Sequence, residues 1–255
     1  MASAAQEIGA SSDNTVRKDL VQVFFGLVLT QIAVYITSLV EIWKPGSMDY
    51  WAAWSHLILS FVLTTASWFG WQGSVRKSKF DEEASIFQWA YFLSVVDIIL
   101  VGLYFLLVHQ VEVANVNAFP SAQVPEITRP SARPETVIVL IVFVVYAVWD
   151  STSSFAEGKP YGPWPSIVCG LLVLPAFCPI ATARGESILV ILMDVYLIGV
   201  ILLFRALKRL QKWNIKNRVG HPTFNFLGVP FKIWVWLLFC TLLCIAGFAG
   251  ALMVG

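Results

Sequence analysis

From Ile86 to His109 the chain reads IFQWAYFLSVVDIILVGLYFLLVH, an apolar run with one carboxylate, Asp97, at its middle. A hydrocarbon core about 30 Å thick takes roughly 20 apolar residues at helical rise, and within lipid a single segment satisfies its own backbone only as a helix. The run therefore predicts a membrane span. An acid at its centre costs about 3 kcal/mol or more when it meets lipid, so Asp97 is expected to face protein or water.

Composition extends that reading to the whole chain. Of 255 residues, 58% are hydrophobic and only 13% charged, with a mean hydropathy of +0.73, whereas soluble domains carry about 25% charged residues. The net charge of +1 conceals a segregation of Lys and Arg and gives no reason to expect a nucleic-acid partner. Seven apolar segments follow in order: residues 20–43, 50–71, 86–109, 135–150, 164–181, 187–204 and 231–254. The fourth and fifth are the weakest, since Pro134 and Asp150 bound the fourth closely and Pro175 and Pro179 should kink the fifth, which a six-span alternative would make re-entrant. The expected fold is all-α, a polytopic transmembrane bundle of seven spans. Residues 1–16 read as a disordered tail and 17–255 as a single transmembrane domain.

Orientation follows from charge, because Lys and Arg in short loops stay cytoplasmic. With the amino terminus inside, thirteen basic residues fall on the inner side and four on the outer. Seven spans with a cytoplasmic amino terminus and an outer carboxyl terminus are therefore expected, in a plasma or inner membrane. The segment 205–218 continues the sixth span as a basic interfacial helix suited to anionic lipid headgroups. The Pro-rich outer connection, residues 111–134, reads as an extended linker or cap.

Polar residues inside the spans carry the functional signal. On the second span His56, Ser60, Thr64 and Ser67 recur at helical spacing, and on the third Ser94, Asp97 and Tyr104 do the same, with Tyr91 beside them. The first span aligns Thr30, Thr37 and Glu41. Three such stripes imply one shared polar seam. Hydroxyls alone would serve helix packing at about 0.6 kcal/mol per contact, but acids at depth are expensive and more often mark an ion or proton pathway. Ordered by depth, Glu41 and His56 lie toward the outer face, Asp194 in the outer half, Asp97 near the midplane and Asp150 at the inner end. Histidine changes charge near neutral pH, so such a ladder suits protons or a cation.

Asp97 and Asp194 also share a local pattern, with Leu three residues on and Gly five residues on, which apolar helices often match by chance. No Lys occupies the core of a span, so a retinal Schiff base is excluded. With three His and no facing pair, haem ligation and an HExxH metalloenzyme are excluded as well. GxSxG, GxxxxGK and GxGD contexts are absent. Cys240 and Cys244 share a helix face but read as small packing residues. Neither enzyme activity nor a cofactor or metal is expected.

The last span carries small residues at four-residue spacing, including Ala246, Gly247, Gly250 and Ala251, which permits close helix packing inside the chain or in a homo-oligomer. Together these features lead to a small transporter or channel with a proton- or cation-coupled route lined by Asp97, Asp194, His56, Glu41, Asp150, Ser60, Thr64, Ser94 and Tyr104. The alternative is a non-catalytic membrane subunit or signalling module whose acids fix helix packing.

Overall fold

A computed structural model describes the backbone of residues 2–75, 89–111, 130–157, 162–182, 187–217 and 230–254, and each described element is helical. α1 (Ala2–Ile42), α2 (Met48–Val75), α3 (Trp89–Val108) and α4 (Ala132–Glu157) are the first four helices. The fifth span is composite: α5 (Trp164–Val173) passes through a single 3-10 turn, Leu174–Ala176, into α6 (Phe177–Thr182). α7 (Ser187–Asn217) and α8 (Phe231–Val254) complete the bundle. Seven of the resulting stretches are long and apolar enough to cross a membrane: Asp19–Ile42, Met48–Gln72, Tyr91–Val108, Ala132–Ser154, Trp164–Ala181, Ser187–Ile215 and Phe231–Val254. The chain is an all-α, seven-helix, membrane-type bundle.

α1 starts at Ala2, ahead of the apolar run that begins at Leu20. In the fifth span Pro175 lacks the N–H that an α-helix would use there, and the backbone answers with the 3-10 turn rather than a break. Most of the outer connection, residues 112–129, lies outside the described residues, as do the inner-side cations Arg76, Lys77, Lys79, Lys159 and Arg218.

α7 is the most enclosed span and α8 the least. The two pack closely because glycines replace side chains where their backbones meet. A Cβ on Gly247 would stand 2.6 Å from the Tyr196 backbone nitrogen, and one on Gly199 would stand 2.9 Å from that of Cys244. The small-residue face of α8, expected to meet either this chain or a second copy, thus has Gly247 and buried Ala251 turned inward, with Gly247 seated on α7. Its other side presents Trp236, Leu238, Leu242 and Ile245 outward.

α1 differs from the expected seam. Its buried face is apolar, with Val21, Phe25, Val28, Ile32 and Leu39. Thr30 and Thr37 are exposed and return their hydroxyls to the carbonyls of Gly26 and Ala33, and Glu41 is exposed. Helical back-bonding satisfies a hydroxyl without any neighbour, so that stripe needs no polar partner.

Candidate functional site

Among the described residues, three fully buried ionisable groups come from three helices and meet at one point. His56 from α2, Glu135 from the first turn of α4 and Asp194 from α7 are each 0% exposed. One ligand-capable atom from each lies within 4.8 Å of the others. The imidazole is oriented from behind: its Nε2 donates to the Leu107 carbonyl on α3 at 2.7 Å. A carbonyl only accepts, so Nε2 holds the proton, and in the neutral ring Nδ1 is a bare lone pair. That Nδ1 stands 2.7 Å from Glu135 Oε1. Asp194 is likewise held from one side, its Oδ2 accepting from the Ser55 hydroxyl at 2.5 Å.

What faces the centre is left unsatisfied. His56 Nδ1 and Glu135 Oε1 face each other at 2.7 Å and need a proton or a cation between them, and neither they nor Glu135 Oε2 and Asp194 Oδ1 receive a hydrogen bond from a protein donor. Two carboxylates brought together out of water cost several kcal/mol each unless a cation or proton compensates them. Glu135 and Asp194 are near enough to share a hydrogen between them. One such hydrogen would leave His56 Nδ1 and Glu135 Oε1, 2.7 Å apart, for a second proton or a cation to bridge.

The unsatisfied atoms continue along α2. Ser60 Oγ, Thr64 Oγ1 and Trp68 Nε1 are buried and without a hydrogen-bond partner, and they follow His56 at successive four-residue steps, hence on one face. Most hydroxyls elsewhere in these helices bond the carbonyl one turn back, as Thr30, Thr37, Ser38 and Ser67 do. Ser60 and Thr64 do not. Buried polar atoms of this kind are normally satisfied by ordered water. The row ends at a hydroxyl relay: Ser67 bonds Tyr146, and Tyr146 meets Tyr104 at 2.9 Å. Tyr146 stacks on Phe204, and Arg205 lies beside Phe204, 5.6 Å from its ring centre.

The other predicted residues stand apart. Asp97 does not join Asp194; its Oδ2 accepts from Trp71 Nε1 at 3.2 Å and its Oδ1 from Trp149 Nε1 at 3.1 Å, tying α3 to α2 and α4. Trp71 is buried, with its indole turned to Asp97. Asp150 accepts from Ser166 at 2.5 Å and pairs with Lys208 at 2.6 Å, joining α4, α5 and α7. Ser94 is half-buried on α3, and Glu41 lies at the exposed end of α1.

Of the predicted set, the fold therefore gathers His56 and Asp194 at one centre and sets Ser60 and Thr64 on the α2 face leading from it, with Tyr104 in the relay at the end of that face. The member that sequence reasoning missed is Glu135. At the start of the fourth apolar run it resembles any interfacial acid, and only the burial of α4's first turn brings it into this cluster.

No protein-family model, curated protein or solved structure matches this chain.

Proposed function

We propose that the protein is a small membrane transporter or channel for a cation or proton, with His56, Glu135 and Asp194 as its ion-handling centre. The observation that carries this reading is the convergence of three fully buried ionisable side chains, one ligand-capable atom from each within 4.8 Å of the others, with no protein donor reaching His56 Nδ1, Glu135 or Asp194 Oδ1. A packing role would be served at lower cost by apolar side chains, since desolvating the charges exceeds what an imperfect pairing returns. The unpartnered row Ser60, Thr64 and Trp68 gives the centre a polar path along α2 toward Tyr146 and Tyr104.

The reading as a non-catalytic subunit draws on different residues. Asp97 and Asp150 have donors on both oxygens and act as clamps between helices. Clamps of that kind are needed in either case.

Flux measured in proteoliposomes carrying a pH-sensitive or cation-sensitive dye tests the proposal. Wild-type protein should carry protons or a cation above empty vesicles, and Asp194→Asn and Glu135→Gln should each lower the rate at least about tenfold while remaining monodisperse and helical. Absence of wild-type flux for protons and for mono- and divalent cations would leave the subunit reading in place.

A further inference from the structure

The donor set and its supports narrow the ion. We infer that His56 Nδ1, Glu135 and Asp194 Oδ1 bind one divalent transition-metal cation of the zinc, cobalt, manganese or ferrous type. The inference rests on the cation-route reading for the ion's passage, while binding itself can be measured apart from flux.

Three features point to a metal rather than to a proton alone. The first is the number of buried acceptors without a protein donor: Nδ1, Oε1, Oε2 and Asp194 Oδ1 take two protons to fill, one of them in the 2.7 Å gap between Nδ1 and Oε1, whereas one cation can take an atom from each of the three residues. The second is orientation from behind. Metal-ligating imidazoles characteristically donate their other N–H to a carbonyl or carboxylate, and ligating carboxylates are themselves hydrogen-bonded. Here Leu107 O fixes the ring with Nδ1 toward Glu135, and Ser55 holds Asp194 by Oδ2, leaving Oδ1 without a donor. The third is spacing. Ligand atoms within 4.8 Å of one another would each draw in by up to roughly 0.8 Å to share an ion at about 2.1 Å from each, a movement that side-chain rotation supplies.

Donor chemistry then selects the class. One imidazole with two carboxylates suits borderline divalent ions; calcium and magnesium prefer oxygen alone, and copper(I) prefers sulfur. Two carboxylates beside a neutral imidazole carry two negative charges, which a divalent ion balances and a monovalent ion does not. Three protein side chains leave a position open on a four-coordinate ion, as expected of an ion that must enter and leave.

The test uses the full-length chain in detergent, stripped with a chelator and titrated with cobalt(II) chloride, with zinc(II) chloride as competitor. Wild type should bind one Co2+ per chain and show visible d–d bands without a thiolate charge-transfer band, and Zn2+ should abolish them. Glu135→Gln and Asp194→Asn should reduce binding to the level of nonspecific uptake. Ser55→Ala, which keeps every ligand, should weaken binding by about 10–100-fold. Wild type without one-to-one Co2+ or Zn2+ binding, or with binding unchanged by Glu135→Gln and Asp194→Asn, overturns the metal site whether or not those variants fold. Proton flux without metal binding would sink this inference and leave the transport proposal standing. Metal binding without flux of any ion would do the reverse.

Discussion

At the residue scale, the two acids that look alike in sequence have different surroundings. Asp97 and Asp194 share the pattern of Leu at +3 and Gly at +5, yet a Cβ on Gly102 would meet open space while one on Gly199 would strike α8. One carboxylate accepts from two indoles; the other faces an imidazole and a second carboxylate. With both oxygens taken by indoles, Asp97 is expected to act in the framework, and Asp97→Asn should behave as a framework variant. Whichever way the new amide sits, its NH2 meets an indole N–H, so one donor opposes another at a cost of about 1–3 kcal/mol. The expected result is a lowered unfolding temperature with unchanged flux per folded molecule, read by thermal scanning beside the vesicle assay. Flux lost at an unchanged unfolding temperature would return Asp97 to the route. Sequence could not separate the two acids, because the groups that define each one come from other helices. It could not single out Glu135 either, since a carboxylate in the first turn of a helix is ordinarily stabilised there by the helix dipole.

At the element scale, the seven spans were legible because each run of about 20 apolar residues carries its own signal, whatever packs against it. Which face of each span turns inward was legible only in part. The α2 stripe of His56, Ser60 and Thr64 is buried as its spacing suggested, whereas the α1 stripe satisfies itself and turns outward. Periodicity identifies a face but not its neighbour. The contact between α7 and α8 gives a sharper test of close packing. An added methyl at Gly247 would meet backbone atoms of Tyr196 and Leu192, which cannot move without separating the helices. At Gly250 it would meet only the Leu192 side-chain carbons, which can rotate away. Gly247→Ala should therefore cost about 1–3 kcal/mol and lower the unfolding temperature measurably in detergent, while Gly250→Ala should leave it nearly unchanged. Equal effects at the two positions would contradict this account of the interface.

For the whole molecule, polarity runs from end to end and its direction can be predicted. The His56, Glu135 and Asp194 centre lies toward one end of the bundle, near the α3 terminus at Leu107 and the first turn of α4. The α2 row leads away from it toward Tyr146, and beyond that the α7 cations Arg205 and Lys208 flank Phe204. Seven crossings place the two termini on opposite sides of the membrane. Thirteen of the seventeen Lys and Arg fall on the side of the amino terminus, so the positive-inside tendency puts that end in the cytoplasm and the three-residue centre close to the outer face. An ion would then meet its binding groups soon after entering from outside, and the cations at the far end would oppose its unassisted exit. Epitope tags at the two ends check the arrangement. In intact cells an antibody should reach the carboxyl-terminal tag, and it should reach the amino-terminal tag only after permeabilisation. Both tags appearing on one side would mean an even number of crossings, with the fifth segment as the first suspect because its helix is interrupted at Leu174–Ala176. The reversed pattern would preserve the bundle but turn the centre toward the cytoplasm, so that flux assays would have to be read as loading from inside.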